Sequence, residues 1–206
     1  MNKVLLSLSF IFSAILYPDF LFAQNSEETQ TVFKDGIPLN TENLGVFIAP
    51  SLGFTQMDGG TATLLNLRGG VSIRNTFSLG GYFATSVNDI RPQSEVVPDV
   101  YMDYWSLGGF VEYTWNASKL VHVTFPLYLG YGEVQMDNEL GNAGLGEANF
   151  FQIEPTALLE INLHRLLGLN LGVGYRMLGN MSYRNFDQSD MDGLTGYVGL
   201  KWKVFQ

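Results

Sequence analysis

Cysteine is absent from the 206 residues of this chain. The absence excludes disulfide bonds and thiolate sites, and we expect no lipid anchor on the protein. A long apolar run is absent as well. The charge-free run from Val4 to Leu16 is shorter than the ~20 residues that a membrane-spanning helix requires, and no later stretch approaches that length. The sequence therefore predicts no spanning helix.

What the chain does contain is a series of eight stretches in which residues alternate between two faces, the period of two that defines a β-strand. In the first stretch Val46, Ile48 and Leu52 share one face, and Ala49 and Gly53 share the other. Each stretch is long enough for the roughly 9 to 11 tilted residues with which a strand crosses a bilayer. The predicted strands are 44–55, 63–74, 77–88, 103–115, 120–135, 150–163, 169–180 and 194–205.

The chemistry of the two faces separates a membrane barrel from a soluble lipocalin-like barrel or a sandwich. One face is apolar and almost free of charge. The other is rich in Gly, Ala, Ser, Thr and Tyr rather than in the Lys, Glu, Asp and Gln of a water-facing surface. Small residues fit a narrow lumen, and we interpret the charges of mixed sign on this face as a structural lumenal network. Its predicted members are Arg68, Glu112, Glu154, Glu160, Arg176 and Lys201.

Aromatic residues on the apolar face gather at two levels, as in the girdles that membrane barrels place at both interfaces. A general preference of aromatics for strands would explain their number but not their two levels. The set toward the long connections is Phe54, Trp105, Tyr131, Phe151 and Tyr175, and the set toward the short turns is Phe77, Tyr113, Trp115 and Trp202. We therefore predict an all-β fold, an eight-stranded antiparallel up-and-down transmembrane β-barrel over 44–206.

The N-terminal segment indicates export. Lys3 precedes the apolar run, and Leu21-Phe22-Ala23 ends in a small residue, as a signal-peptide cleavage site does. Residues 1–23 are thus predicted to be a signal peptide. Residues 24–43 are polar and unpatterned, and we expect them to form a flexible periplasmic arm that hangs free or enters the lumen.

The number of strands, the short turns and the final strand together resemble a known family. Short turns are predicted at 75–76, 116–118 and 164–166, and the last strand, GLTGYVGLKWKVFQ, has an aromatic residue near its end. This pattern resembles the small outer-membrane barrels of the OmpA/OmpX type. The resemblance is architectural. It implies an integral protein of a Gram-negative outer membrane, surrounded by outer-membrane lipid and lipopolysaccharide.

The barrel topology places most acidic residues of 44–206 on one side of the membrane. With both termini periplasmic, the longer connections, near 56–60, 88–102, 136–149 and 182–193, are extracellular. They contain Asp58, Asp89, Glu95, Asp99, Asp137, Glu139, Glu147, Asp187, Asp190 and Asp192 against Arg91 and Arg184. An acidic rim repels phosphate, so we expect no nucleic-acid partner. The rim is either a solvated face that prevents aggregation or a site where divalent cations bridge lipopolysaccharide phosphates.

Enzymatic activity is disfavoured by the histidines. Barrels that resemble this one include acyltransferases and deacylases of lipid A, and such chemistry needs a histidine near the outer leaflet. The chain has only His122 and His164, and both fall at the periplasmic end of the predicted barrel. We therefore expect no catalytic residue. The segment 187–193 fails the spacing of an EF-hand, and we expect neither a metal nor a cofactor.

The lumen is expected to be plugged, because an eight-stranded barrel is just wide enough for side chains to fill it. Counting antiparallel from the turn at 164–168 sets Glu154 nearly opposite Arg176, both inward, and predicts a salt bridge between them. Three functions stay open. The first is a structural or surface-interaction barrel. The second is a component of a secretion or assembly complex that docks a protein through its loops, arm or outward face, and the third and weakest is a small pore.

Overall fold

A computed structural model of the chain describes residues 44–97, 99–138, 146–179, 181–183 and 186–205. The predicted signal peptide (1–23) and arm (24–43) lie outside these residues and stay predictions. Among the residues that the structure describes, no helix is long and apolar enough to span a membrane.

In the described part of the chain, eight long strands close into one barrel in which each strand pairs antiparallel with the next and the last pairs with the first. The barrel strands are β1 (Leu44–Met57), β2 (Gly60–Ile73), β3 (Phe77–Ser86), β4 (Val100–Trp115), β5 (Val121–Asn138), β6 (Gly146–His164), β7 (Leu167–Gly179) and β10 (Gly193–Phe205). Between β7 and β10 lie the short strands β8 (Ser182–Tyr183) and β9 (Phe186–Asp187) and the one-turn helix α1 (Gln188–Met191). The predicted all-β, eight-stranded antiparallel barrel is confirmed.

Tight turns join the strands at one end of the barrel, which we call the turn end. Arg74 and Asn75 have φ angles of 51° and 56°, the left-handed conformation that both central residues of a type I′ turn adopt. The amide of Thr76 donates to the carbonyl of Ile73 at 3.0 Å and closes this turn. The right-handed twist of the flanking strands favours such turns.

The opposite end, which we call the loop end, differs from the prediction at its first connection. Asp58 and Gly59, with φ angles of 44° and 72°, form a two-residue turn between β1 and β2. The prediction of a longer connection near 56–60 is therefore wrong. The reason is local, because an Asp-Gly pair adopts the left-handed conformations of a type I′ hairpin at little cost.

Side-chain burial alternates along the strands and separates the lumen from the outer surface. On β1 the inward Phe47 and Ala49 are buried, whereas the outward Ile48 and Leu52 are 43% and 40% exposed. The same holds around the barrel, where outward apolar residues such as Val173 reach 57% exposure. A continuous apolar surface of this kind is stable in lipid and not in water.

A bulge adjusts the register where β10 ends. Phe47 pairs with Lys203, but its neighbour Val46 pairs with Phe205, so one extra residue lies in β10. Strict alternation would give Phe205 the inward parity of Lys203. The shift therefore sets the backbone of Phe205, rather than that of Val204, opposite Val46.

Candidate functional site

The nine predicted girdle residues lie on the outward face of the barrel at two levels. At the turn end Phe77 is opposite Tyr113, with ring centroids 5.2 Å apart. At the loop end Tyr131 is opposite Phe151, and Trp105 is half-buried beside them. The remaining members, all exposed, are Phe54 and Tyr175 toward the loop end and Trp115 and Trp202 toward the turn end.

Above the aromatic girdle at the loop end, which we call the upper girdle, the two faces of the strands exchange polarity. The outward face becomes polar and the inward face becomes apolar. On β4, Leu107 faces outward and Ser106 inward, but farther up Asp103 faces outward and Met102 inward. β5 changes in the same way, and Met136 is fully buried there. The strands therefore continue past the membrane level as a structure with a polar outside and an apolar inside. We call the described parts of 56–64, 84–104, 134–150 and 176–193 the loop-side head.

A packed apolar core fills the loop-side head and closes the lumen at this end. The ring of Tyr104 stacks on that of Phe150, with centroids 5.4 Å apart and planes 13° apart. The core comprises Met57, Ala62, Leu64, Ala84, Ile90, Val100, Met102, Tyr104, Val134, Met136, Ala148, Phe150, Leu178, Met181 and Met191. Sequence reasoning expected a polar lumen along its whole length and missed this core.

Helix α1 covers the core as a lid and is attached to the barrel by Arg176. The Asp187 side chain caps the start of the helix, and the backbone carbonyl of Met191 lies at its end. Arg176 donates from Nε and Nη2 to that carbonyl at 3.1 and 2.9 Å, and from Nη2 to Gln56 O at 3.2 Å and to Thr55 Oγ1 at 3.3 Å. The buried Arg176 thus bonds the lid to β1.

The predicted salt bridge between Glu154 and Arg176 is wrong, although the register that led to it is right. Ile153 lies opposite Met177, which sets Glu154 opposite Arg176 on the neighbouring strand. The Glu154 carboxylate instead accepts hydrogen bonds from Gln152, at 2.8 Å, and from the Tyr197 hydroxyl. The long Arg176 side chain reaches the loop-side head, and Glu154 is satisfied without it.

The connection between β3 and β4 is bound to the top of the head and exposes its tip. The Asp58 carboxylate accepts from the Ser94 amide at 2.9 Å, and Asp58 O accepts from the Gln93 amide at 2.9 Å. Ile90 is fully buried below. Val96, two residues beyond Ser94, is 85% exposed, so the connection presents an apolar side chain to solvent from an anchored base.

The outer surface of the head carries neighbouring carboxylates. Ile90 bridges Met102, which sets Asp89 beside Asp103, and Asp137 lies on the adjoining strand β5. Partial burial, followed by the charges of Asp137 and Asp89, raises the pKa of Asp103. Within the described residues no group of three or more metal-ligating side chains has the arrangement that a metal ion requires.

A charge network fills the lumen near the turn end. Lys201 Nζ lies 2.8 Å from Glu112 Oε1 and 3.1 Å from Glu160 Oε2, and Arg68 pairs with the other oxygen of Glu112. Lys203 also contacts Glu160, at 3.4 Å. Four of the six predicted network residues are therefore brought together. Glu154 and Arg176 lie outside this network.

His122 joins the same network, a contact that sequence reasoning did not anticipate. Its Nε2 lies 3.4 Å from Glu160 Oε1, and its Nδ1 lies 3.1 Å from the backbone carbonyl of Lys119. The other histidine, His164, is exposed at the end of β6 and belongs to the turn end as predicted. Both imidazoles are thus far from the loop-side head.

Aromatic rings separate this network from the polar groups higher in the lumen. Phe47, Tyr82, Phe110 and Tyr128 pack together, and Lys201 Nζ lies 4.6 Å from the centroid of the Phe47 ring. Three small cavities of the lumen measure about 20, 20 and 10 Å³. Each has room for about one water molecule. The lumen is therefore filled in the part of the barrel that the structure describes.

No family model matches the chain, and no curated protein matches it. Solved structures do. Neisserial surface protein A is 12% identical, with 79% of this chain and 97% of that chain covered and a TM-score of 0.56. The TM-scores are lower for two other outer-membrane structures. They are 0.48 for OprG from Pseudomonas aeruginosa (10% identity, 80% of this chain and 98% of that chain covered) and 0.47 for the attachment invasion locus protein Ail of Yersinia pestis (15% identity, 78% and 97% covered).

The chain has the fold of the small outer-membrane β-barrels. At this level of identity the likeness concerns the fold alone. The exposed apolar belt and its two aromatic levels agree with that fold and require a lipid surround. The protein is thus an integral outer-membrane barrel, as the sequence predicted.

Proposed function

We propose that this outer-membrane barrel is non-enzymatic and that it mediates contacts at the cell surface through the loop-side head. In the proposed topology the turn end is periplasmic and the head is extracellular. The observation that carries the proposal is the exchange of faces above the upper girdle. It turns the outer ends of the strands into a rigid, water-exposed platform with its own apolar core.

A role as a small pore is less well supported. A conducting barrel needs a continuous aqueous path, whereas the lumen here is filled at two heights, by the head core and by the network around Lys201. The cavities between them hold about one water each and are lined by packed side chains. A filled lumen favours a surface scaffold over a channel.

An enzymatic role has little support as well. A hydrolase or acyltransferase acting at the outer leaflet needs a general base there. Both histidines of the sequence lie at the turn end, where His122 is bound to Glu160. The carboxylates of the head face water on its outer surface or bind backbone amides, as Asp58 and Asp192 do.

The head offers a partner two kinds of contact. The tip of the connection between β3 and β4 presents Val96 on a fixed base, and the outer surface beside it carries Asp89, Asp103 and Asp137. This combination suits a protein with an apolar pocket and a basic rim. For the barrel wall the proposed partners are outer-membrane lipid and, through divalent cations at the acidic rim, lipopolysaccharide phosphates.

Site-specific photo-crosslinking in intact cells tests this role. A photoreactive residue at Val96 reports contacts of the head, and the same residue at Ser118, in the turn between β4 and β5, serves as the matched control. A surface-interaction barrel predicts a discrete adduct from Val96 and none from Ser118. Adducts from Ser118 alone would contradict it and favour the alternative, a component of a periplasmic-facing assembly or secretion complex.

A further inference from the structure

The turn end carries one exposed cation in each of its three tight turns. Arg74 lies between β2 and β3, Lys119 between β4 and β5, and Arg165 between β6 and β7. We call these three residues the basic collar. In the described part of the chain none of them has an ion-pair partner, unlike the lumenal Lys201 and Lys203.

Each collar residue stands next to a side chain of the apolar belt. Arg74 precedes the girdle residue Phe77 by three positions, and Lys119 precedes Leu120, which is 68% exposed. Arg165 follows Leu163, which is 57% exposed. The cations are thus at the level where the barrel leaves the hydrocarbon, which is where long basic side chains extend toward lipid headgroups.

Two of the turns that carry the collar have backbones fixed by hydrogen bonds. The turn of Arg74 is closed by the hydrogen bond from Thr76 to Ile73. The Lys119 amide donates to Asn116 O at 2.8 Å, and the Lys119 carbonyl accepts from Asn162 Nδ2 at 3.1 Å. The positions of Arg74 and Lys119 relative to the belt are therefore set by the fold, and no described residue forms an ion pair with either side chain.

Among the described residues, no acidic group lies in the surroundings of the collar. The open mouth of the barrel at this end has a volume of about 540 Å³, and its lining includes Arg74, Arg165, Lys203, His164 and the amides of Asn75 and Asn162 but no described carboxylate. The exposed carboxylates of the described residues lie at the loop end instead, as Asp103 and Asp137 do. Within the part of the chain that the structure describes, the positive charge of the collar is therefore uncompensated.

We propose that the basic collar binds the anionic headgroups of phospholipids in the leaflet at the turn end. A phosphate free in solution fits less well, because the three cations are distributed one per turn around the rim and each is placed to meet a different headgroup. A Lys or Arg close to an anionic lipid surface strengthens binding by about fivefold. The collar thereby fixes the depth of the barrel and selects the lipids around it.

Tryptophan quenching by brominated lipids measures this selection. The chain has three tryptophans, and in a Trp105→Phe background the remaining Trp115 and Trp202 both report on the turn-end girdle. The protein is reconstituted in phosphatidylcholine with rising fractions of brominated phosphatidylglycerol or, separately, brominated phosphatidylcholine. The collar predicts that the phosphatidylglycerol probe occupies the sites around these tryptophans with about fivefold preference.

Two variants decide the origin of the preference. The triple variant R74Q/K119Q/R165Q should lose it, while D89N/D103N/D137N, which removes the same number of charges at the loop end, should keep it. Heat-modifiable gel mobility verifies that each variant is folded. Equal quenching by the two probes in the parent, or a preference that survives in the triple variant, would overturn the proposal. Displacement of the probe by soluble glycerol phosphate would also overturn it in favour of a free-anion site.

Discussion

Arg176→Met is expected to release helix α1 from the barrel. The guanidinium is fully buried and donates to two backbone carbonyls, Met191 O and Gln56 O, and to the hydroxyl of Thr55. A buried acceptor that loses its donor costs about 1–3 kcal/mol. For the two carbonyls together the attachment of α1 should therefore weaken by roughly 2–6 kcal/mol.

The loss should be local rather than global. Only part of the lid depends on Arg176, since Asp58 N still donates to Asp190 O at 2.8 Å and the Leu178 amide still donates to the Asp192 carboxylate at 2.7 Å. Units of a protein that are held by few contacts open below the global unfolding free energy. We expect the segment 186–192 to open while the strands keep their protection.

Hydrogen exchange measured by mass spectrometry tests this expectation. Amides of the segment 186–192 should exchange about 30-fold faster or more in Arg176→Met, the factor that corresponds to ~2 kcal/mol. Glu154→Gln is the control and should leave α1 unchanged, and the two changes should be additive in unfolding free energy. Unchanged exchange of α1 would refute the assignment of Arg176 to the lid. Strong coupling between positions 176 and 154 would instead support a salt bridge between Arg176 and Glu154.

Further predictions concern the lumen, the head surface and the topology. Lys201→Met removes the cation that Glu112 and Glu160 share, but Arg68 and Lys203 still contact them, so the cost in urea unfolding should be below the roughly 3–5 kcal/mol of an uncompensated buried charge. Lys203→Met, which touches one carboxylate from a less buried position, should cost less. Because the pKa of Asp103 is raised in the folded state, its ionisation destabilises the fold as the pH rises above the ordinary Asp value. Asp103→Asn should therefore raise the free energy of unfolding at pH 7 but not at pH 3. The gain should be less than ~1 kcal/mol because the side chain is mostly exposed. Since the chain lacks cysteine, Val96→Cys should react with an impermeant maleimide on intact cells and Ser118→Cys only after permeabilisation; the reverse pattern would invert the topology.

The strands could be predicted from the sequence because one face is apolar along most of their length. Their bounds at the turn end agree closely with the structure, but β4, β5 and β6 extend past the prediction at the loop end. There the outward residues become polar and the inward ones apolar, as at Asp103 and Met102. A strand prediction that requires an apolar outward face therefore ends where the outward face becomes polar. The inward parity of Met102 and Met136 was the available signal for the head core.

The candidate site could be predicted only in part, because register does not determine where a long side chain ends. Alternation set Arg68, Glu112, Glu160 and Lys201 inward, and the structure joins them. The same reasoning placed Arg176 correctly on its strand but assigned it the wrong partner. Its actual partners belong to β1 and to α1, a helix of four residues that has no periodicity to detect.

Planar-bilayer recording of the full barrel tests whether the head core and the charge network seal the lumen. The purified protein, folded in detergent and inserted into a bilayer, should show no steady open channel, because packed side chains fill the lumen and the cavities between them measure about 20 Å³. A stable, large conductance would contradict a sealed surface barrel and make the pore the leading function.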